Sequence, residues 1–229
     1  MKTASTAAPP VPVGIVNDLT GVALGPDEDW ANLGRYRGAN AALRGAPQRL
    51  VFLGDSITEM WADADPALFA PGIVNRGIGG QTSPQMLLRF MADVVRLQPR
   101  AVHLMAGTND IAGNTGPITI ADYQNNILAM IALARTHGLR VIIASIPPMR
   151  TVPWRSEVEN PAARVIELNR WLSTLAGEQR LIYADYHAVL AAPDGGLYAA
   201  FTSDGVHLTD AGYAALRPAV GAAIAMALR

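Results

Sequence analysis

The stretch RLVFLGDSITEMW, residues 49–61, begins like a buried β-strand and then turns abruptly polar. An apolar run at 50–53 is followed at once by Gly54, Asp55 and Ser56. A short apolar run of this kind is typical of a strand covered on both faces, as in a parallel sheet. The serine at its end is either a plain helix cap or a nucleophile.

Four more apolar runs follow, and helical patterns separate them. The runs are GIVNRG, AVHLMAG, RVIIASIPP and RLIYADY. Between them, apolar residues recur three or four positions apart, as at Tyr123, Ile127 and Met130. Alternation of strand and helix requires crossover connections and favours parallel strands. We therefore predict an α/β fold: a three-layer α/β/α sandwich around a mostly parallel, five-stranded sheet.

Local signals predict where the helices begin and end. Ser83 and Pro84 fit an N-cap and first turn, Gly177 closes a later helix, and Thr209 caps the last one. Residues 26–43 predict an additional packing helix, because their apolar side chains fall near helical spacing. These side chains are Trp30, Leu33, Tyr36 and Leu43.

Composition limits the classes of protein that fit. The chain has 229 residues, of which 50% are hydrophobic and 16% charged, enough to bury the core of a single domain. We expect a flexible tail at residues 1–13, because its prolines disfavour helix and strand, and one domain at 14–229. A net charge of -1 offers no basic field for a nucleic acid. The sequence carries no signal of oligomeric state.

The sequence disfavours several kinds of site, a membrane-spanning segment and a signal segment. The absence of cysteine excludes disulfides, thiolate metal sites and a cysteine nucleophile, and four scattered histidines without ligand spacing predict no metal site. No apolar run reaches the roughly 18 residues of a membrane span. The start has no apolar signal segment. We expect a soluble protein, either cytoplasmic or, if a signal has been removed, secreted or periplasmic.

Polar residues follow the predicted strands in four short blocks, GDSIT, NRGIGGQT, AGTND and SDGVHLTD. In a parallel sheet, the loops that follow the strands emerge at the same carboxyl edge, where ligands bind. The topology therefore predicts that this edge gathers Ser56, Gly80, Asn109, Asp204 and His207.

The four blocks, in this order, resemble those of the GDSL or SGNH hydrolase superfamily, and the resemblance covers residues 48 to about 225. It implies a serine esterase with a flavodoxin-like sheet and no cofactor. Ser56 would be the nucleophile, His207 the general base and Asp204 its orienting acid. The oxyanion hole would be formed by the amides of Ser56 and Gly80 and the side chain of Asn109. Gly79 is the alternative to Gly80 as the source of the second amide. Gln81 stands where members often have an acid.

The same residues make chemical sense without the resemblance. A serine hydroxyl becomes an effective nucleophile when a histidine accepts its proton and a carboxylate fixes that histidine. An asparagine amide and backbone N–H groups can stabilise the negative oxygen of a tetrahedral intermediate. The Gly-x-Ser-x-Gly elbow of α/β-hydrolases is missing.

Other functions are less consistent with the sequence than a serine esterase. The glycine-rich GIGGQTS loop could hold a phosphate, but the nucleotide-binding fingerprint and the Walker lysine are missing. A non-catalytic carbohydrate- or lipid-binding module would be expected to have a broken triad. Within the same fold, a thioesterase or a lysophospholipase remains an alternative.

The expected substrate is a small-molecule ester with a short acyl group, such as acetyl. This expectation rests on a long proline-rich loop after the fourth strand, since such loops are usually functional. Its Met149 and Trp154, together with Trp61, are expected to wall the site and crowd the acyl pocket.

Overall fold

The computed structural model describes residues 29–46 and 48–229, so the expected tail at 1–13 lies outside the described residues. The strands are β1 (Leu50–Gly54), β2 (Ile73–Gly77), β3 (Ala101–Leu104), β4 (Arg140–Ala144) and β5 (Ile182–Ala184). The α-helices are α1 (Arg37–Ala42), α2 (Ser56–Ala64), α3 (Ser83–Asp93), α4 (Thr108–Ala112), α5 (Ile120–Thr136), α6 (Pro161–Gln179), α7 (Tyr186–Leu190) and α8 (Asp210–Ala227).

The five strands form one sheet in the order β2-β1-β3-β4-β5. Every neighbouring pair is parallel, which is more regular than the mostly parallel sheet that the sequence predicts. All five strands therefore end at one edge of the sheet. The predicted α/β sandwich is confirmed.

The strands are apolar on both faces because helices cover both faces. Val51 and Leu53 belong to a cluster that includes residues of α3, α5 and α6. Their neighbours Leu50 and Phe52 belong to a second cluster with residues of α2, α7 and α8. Since successive side chains of a strand point to opposite faces, the two clusters are the two interfaces of a three-layer sandwich.

The helix expected over residues 26–43 is wrong in its extent, because in the described part only α1 is helical. Before α1, the carboxylate of Asp29 accepts the backbone N–H groups of Leu33 and Gly34 at 2.8 and 2.7 Å. Asn32 adopts the left-handed conformation, with φ at 53°. These turns leave Trp30 exposed, whereas its spacing predicted burial.

Two other helix ends differ from prediction by one or two residues. Helix α3 is capped by Thr82 rather than Ser83, and the Thr82 amide donates to Gln85 Oε1 at 3.0 Å. Helix α6 passes Gly177 and ends at Gln179, where Arg180 takes the left-handed conformation. The predicted cap Thr209 is confirmed, because its hydroxyl accepts the Gly212 amide. No helix in the described part of the chain is long and apolar enough to cross a membrane.

Strand β2 and helix α2 approach each other most closely at Gly77. A Cβ added to Gly77 would lie 2.1 Å from the backbone nitrogen of Glu59 and 2.6 Å from its Cα. Backbone atoms of a helix cannot give way as a flexible side chain does. Gly77 therefore lets α2 pack directly on the end of β2.

The first prediction is that Gly77→Ala lowers the free energy of unfolding by roughly 3 kcal/mol, as overpacking of a rigid contact does. Gly177→Ala is the matched control, because a Cβ there meets nothing within 4 Å inside α6. It should raise stability by about 0.5 to 1 kcal/mol. Urea unfolding of both variants measures the difference. Equal stabilities would contradict the close approach.

Candidate active site

Ser56 is the first residue of α2, directly after β1. Asp55 caps this helix, since its Oδ1 accepts the Ile57 amide at 3.0 Å. The Ser56 amide makes no hydrogen bond within the described ranges. The strand end and the cap thus fix Ser56 at the carboxyl edge of the sheet, with an N–H of the first helical turn available beside its hydroxyl.

His207 and Asp204 complete a hydrogen-bonded chain with Ser56. The Ser56 Oγ lies 3.0 Å from His207 Nε2, although 151 residues separate them in sequence. His207 Nδ1 lies 2.6 Å from Asp204 Oδ2. An ionised carboxylate only accepts hydrogen bonds, so Nδ1 carries the proton and Nε2 accepts from the serine. This tautomer is the one that general-base catalysis requires.

The environment of Asp204 keeps its carboxylate ionised. Its Oδ1 accepts the backbone amides of Val206 and His207, each at 2.8 Å. Burial alone would raise the pKa of Asp204, but the His207 ring and these two amides lower it to about 2. The carboxylate is therefore negative at neutral pH.

Asn109 reaches the same edge from β3, the neighbour of β1 in the sheet. It is the second residue of α4, which follows β3, and is 2% exposed. Its Nδ2 donates to the backbone oxygen of Gln81 at 3.1 Å and lies 3.4 Å from Asp55 Oδ2. The second contact is long for a hydrogen bond, so one N–H of the amide is only weakly engaged.

The structure distinguishes the two candidate glycines. The Gly79 amide donates to Glu59 Oε2 at 2.7 Å, whereas the Gly80 amide has no acceptor in the described part of the chain. Gly80 has φ at 74°, a conformation that glycine adopts readily. Of the two amides, that of Gly80 is the one left to bind a ligand.

Two buried carboxyl groups brace the loops of the site. Asp55 forms the cap of α2, and Asp110 accepts both the amide and the hydroxyl of Ser83. Burial raises the pKa of Asp55 to about 7, against the effects of the Ile57 amide and of His207. Burial likewise raises the pKa of Asp110 to about 6. Both groups hold backbone in place.

Two of the three residues expected to wall the site lie in the core instead. Trp61 is fully buried, with its ring 5.8 Å from that of Phe52 and 5.6 Å from that of Tyr186. Met149 is 1% exposed and packs in the cluster on the other face. The expectation failed because a residue five positions after Ser56 on α2 faces the sheet, which proximity in sequence does not reveal.

Trp154 does lie at the site. Its ring centre is 6.2 Å from that of His207, and its side chain is 42% exposed. Its Nε1 donates to Asn114 Oδ1 at 2.9 Å. The long loop therefore meets the triad through this indole.

Sequence reasoning missed Arg89, whose guanidinium is fully buried beneath the site. It donates to the backbone oxygens of Gly54 and Arg76 at 3.0 and 2.8 Å, and to Gln81 Oε1. It is paired with Asp93, four residues later. The signal was an Arg–Asp pair at helical spacing on the same face as apolar residues of α3.

A cavity of about 420 Å³ lies beside the site, and its lining includes Asp110, Tyr123 and Arg155 but neither Ser56 nor His207. The hydrogen-bonded chain of Ser56, His207 and Asp204 faces solvent, because the side chains of His207 and Asp204 are 28% and 40% exposed. Among the described residues, no three His, Cys, Asp or Glu side chains gather as a metal site would require.

The chain is similar to a known protein family and to several solved structures. The sequence profile of the GDSL-like lipase/acylhydrolase family matches residues 52–215. A GDSL-like lipase from Bacteroides thetaiotaomicron VPI-5482 is 37% identical, with a TM-score of 0.83 over 87% of this chain and 100% of that one. The acetylxylan esterase Axe2 from Geobacillus stearothermophilus is 23% identical, with a TM-score of 0.65 over 79% of this chain and 95% of that one, and shares the fold.

A further similarity is local. The uncharacterized lipoprotein YqeF of Bacillus subtilis (strain 168) is 35% identical over 80 residues. This match spans 34% of the present chain and 33% of the lipoprotein, so the two are similar over about a third of their lengths.

The second prediction concerns pH and Asp55. Because the folded chain holds the Asp55 proton more tightly than the unfolded chain, this residue makes the free energy of unfolding fall as pH rises from about 4 to 7. Asp55→Asn keeps an oxygen for the Ile57 amide but cannot ionise. Its stability relative to wild type should therefore increase between about pH 5 and pH 8, as measured by urea unfolding.

Asp122→Asn is the control for this measurement. The hydroxyl and amide of Thr119 lower the pKa of the exposed Asp122, so it is ionised in both folded and unfolded chains throughout that pH range. The difference in free energy of unfolding between Asp122→Asn and wild type should stay constant with pH. If the difference between Asp55→Asn and wild type were also constant, the prediction would be contradicted.

Proposed function

The chain belongs to the GDSL-like lipase/acylhydrolase family, and we propose that it is a serine esterase that forms an acyl-enzyme on Ser56. The observation that carries this proposal is the continuous hydrogen-bonded chain from Ser56 Oγ through His207 to Asp204. It joins a nucleophile, a base and an orienting carboxylate in the order that acyl transfer requires.

Acylation begins when Ser56 Oγ attacks the ester carbonyl carbon and passes its proton to His207 Nε2. The imidazolium that forms is stabilised by Asp204, whose low pKa keeps it negative. The tetrahedral intermediate then collapses: the bond to the alcohol oxygen breaks, and His207 returns the proton to that oxygen. The alcohol leaves and the acyl group stays on Ser56.

Deacylation repeats these steps with water. His207 Nε2 accepts a proton from a water molecule as its oxygen attacks the acyl carbon, and then returns the proton to Ser56 Oγ as the acid leaves. The partial exposure of the His207 side chain gives water access to this position. The sequence of steps consumes one ester and one water and uses no cofactor.

The negative oxygen of each intermediate would be held by the amides of Ser56 and Gly80 and by Asn109 Nδ2. The first two N–H groups lack partners within the described residues, and Asn109 has one weakly engaged N–H. Such donors act mainly on the transition state, because the charge develops only there.

A short acyl group, such as acetyl, remains our proposal for the substrate. With Trp61 and Met149 in the core, the proposal rests on Trp154, which stands next to His207. The exposed triad leaves room for a large alcohol, so selectivity should lie mainly on that side of the ester. Thioesters and lysophospholipids are the competing substrate classes.

The third prediction tests the nucleophile. Ser56→Ala should reduce kcat on the order of a millionfold, because the triad acts as a unit, and should abolish covalent labelling by a fluorophosphonate. Ser173→Ala, at an exposed position of α6, is the control and should keep both. If Ser56→Ala retained more than a few per cent of activity after contaminants were removed, the assignment would be wrong.

The fourth prediction concerns specificity. The protein should hydrolyse acetyl esters faster than octanoyl esters, and Trp154→Ala should change the ratio of kcat/KM values among acyl lengths or alcohols with little loss of stability. Met226→Ala is the control, because this exposed residue lies at the carboxyl end of α8. The backbone oxygen of Met226 accepts from Arg140 at the start of β4, so the residue lies near the amino edge of the sheet, away from Ser56. Equal losses for every ester, or a wild-type preference for long acyl chains, would refute the short-acyl proposal alone.

A further inference from the structure

A chain of hydrogen bonds leads from the surface loop to the asparagine of the site. Trp154 Nε1 donates to Asn114 Oδ1 at 2.9 Å, and Asn114 Nδ2 donates to Asn109 Oδ1 at 2.7 Å. Asn109 Nδ2 in turn donates to the backbone oxygen of Gln81 at 3.1 Å. The chain thus passes from an exposed indole to a buried amide.

The two ends of this series of hydrogen bonds determine the direction of every hydrogen bond in it. An indole N–H can only donate, and a backbone carbonyl can only accept. The oxygen of Asn114 must therefore face Trp154, and its nitrogen must face Asn109. The oxygen of Asn109 then faces Asn114, and its nitrogen faces Gln81. Reversing either amide would set oxygen against oxygen or nitrogen against nitrogen.

Asn114 also contacts the other half of the proposed oxyanion hole. Its Nδ2 lies 3.3 Å from the backbone oxygen of Gly80, to which it donates. Its own backbone N–H donates to the backbone oxygen of Asn109 at 3.1 Å, which fixes the turn after α4. One side chain therefore ties Gly80 to Asn109.

We propose that Asn114 is a positioning residue of the oxyanion hole and that Trp154 sets its orientation. This inference rests on the proposed esterase function. By accepting from Asn114, the oxygen of Asn109 is kept away from the developing negative charge, so that Nδ2 presents its weakly engaged N–H. With the amide reversed, Asn109 would place an oxygen against the tetrahedral oxygen and would repel it.

The effect should fall on kcat rather than on KM, because the donor matters most in the transition state. Asn114→Ala removes all three hydrogen bonds of this side chain and should lower kcat about 10- to 100-fold. Asn109→Ala should lower it about 100- to 1000-fold. Trp154→Phe keeps a ring beside His207 but removes the donor to Asn114, and should lower kcat about 2- to 10-fold.

The decisive measurement is a double-mutant cycle. If Asn114 acts through Asn109, adding Asn114→Ala to Asn109→Ala should cause little further loss of kcat. Asn114→Asp is a second, isosteric variant that keeps the acceptor for Trp154 and replaces the donor that faces Asn109. It should lower kcat at least as much as Asn114→Ala, with a melting temperature close to that of wild type.

Asn126→Ala is the matched control, because Asn126 is a partly buried asparagine that donates to Ser83 Oγ at 3.1 Å, outside the chain described above. It should keep the wild-type kcat. The inference is overturned if Asn114→Ala and Asn114→Asp both keep the wild-type kcat, if they change only KM, or if their losses are undiminished in the Asn109→Ala background. Failure of the esterase proposal is distinct: the wild type would then not react with a fluorophosphonate at Ser56.

Discussion

The buried guanidinium of Arg89 is the constraint on which the geometry of the site depends. A charge enclosed in a protein is tolerated only when its donors are satisfied. Burial lowers the pKa of Arg89 and Asp93 opposes this shift. The other N–H groups of Arg89 donate to backbone oxygens at the ends of β1 and β2 and to the side chain of Gln81. These hydrogen bonds hold all three groups against α3. The loop of Gly80 is thereby fixed relative to Ser56, so a group that never meets substrate sets the dimensions of the proposed oxyanion hole.

The carboxyl groups around the site fall into two kinds, and their surroundings explain the difference. Asp204 is partly exposed and accepts several N–H groups, which hold its pKa at about 2. Asp55 is buried, and its pKa is raised to about 7. Negative charge is thus strongest beside His207, where the proposed mechanism forms a cation. It is weaker beside Asn109, where the proposed mechanism forms a negative oxygen, because Asp55 is largely protonated below its pKa.

The sequence predicted the residues that backbone topology brings together, and it failed where tertiary packing decides. Ser56, Asn109 and His207 follow strands or precede the last helix, so a parallel sheet is enough to predict that they meet. The position of Trp61 depends instead on which face of α2 meets the sheet. Residues 26–43 carry a helical spacing, but the Asp29 carboxylate offers the amides of Leu33 and Gly34 a competing turn. Asn114 had no signal of its own, since its proposed role depends on the loop that brings Trp154 to it.

The two halves of the site differ in their access to solvent, and this difference bears on selectivity. Asn109 is 2% exposed and is held by neighbours on three sides. His207 and Asp204 are partly exposed, and the indole of Trp154 lies beside the histidine, with its ring centre 6.2 Å away. In the proposed mechanism the histidine protonates the departing alcohol, so the alcohol would occupy the open half of the site. The carbonyl oxygen would lie in the buried half, where Asn109 is closely packed. On this proposal, changes in the loop that carries Trp154 would alter the alcohol that is accepted and would leave the chemistry at the carbonyl unchanged.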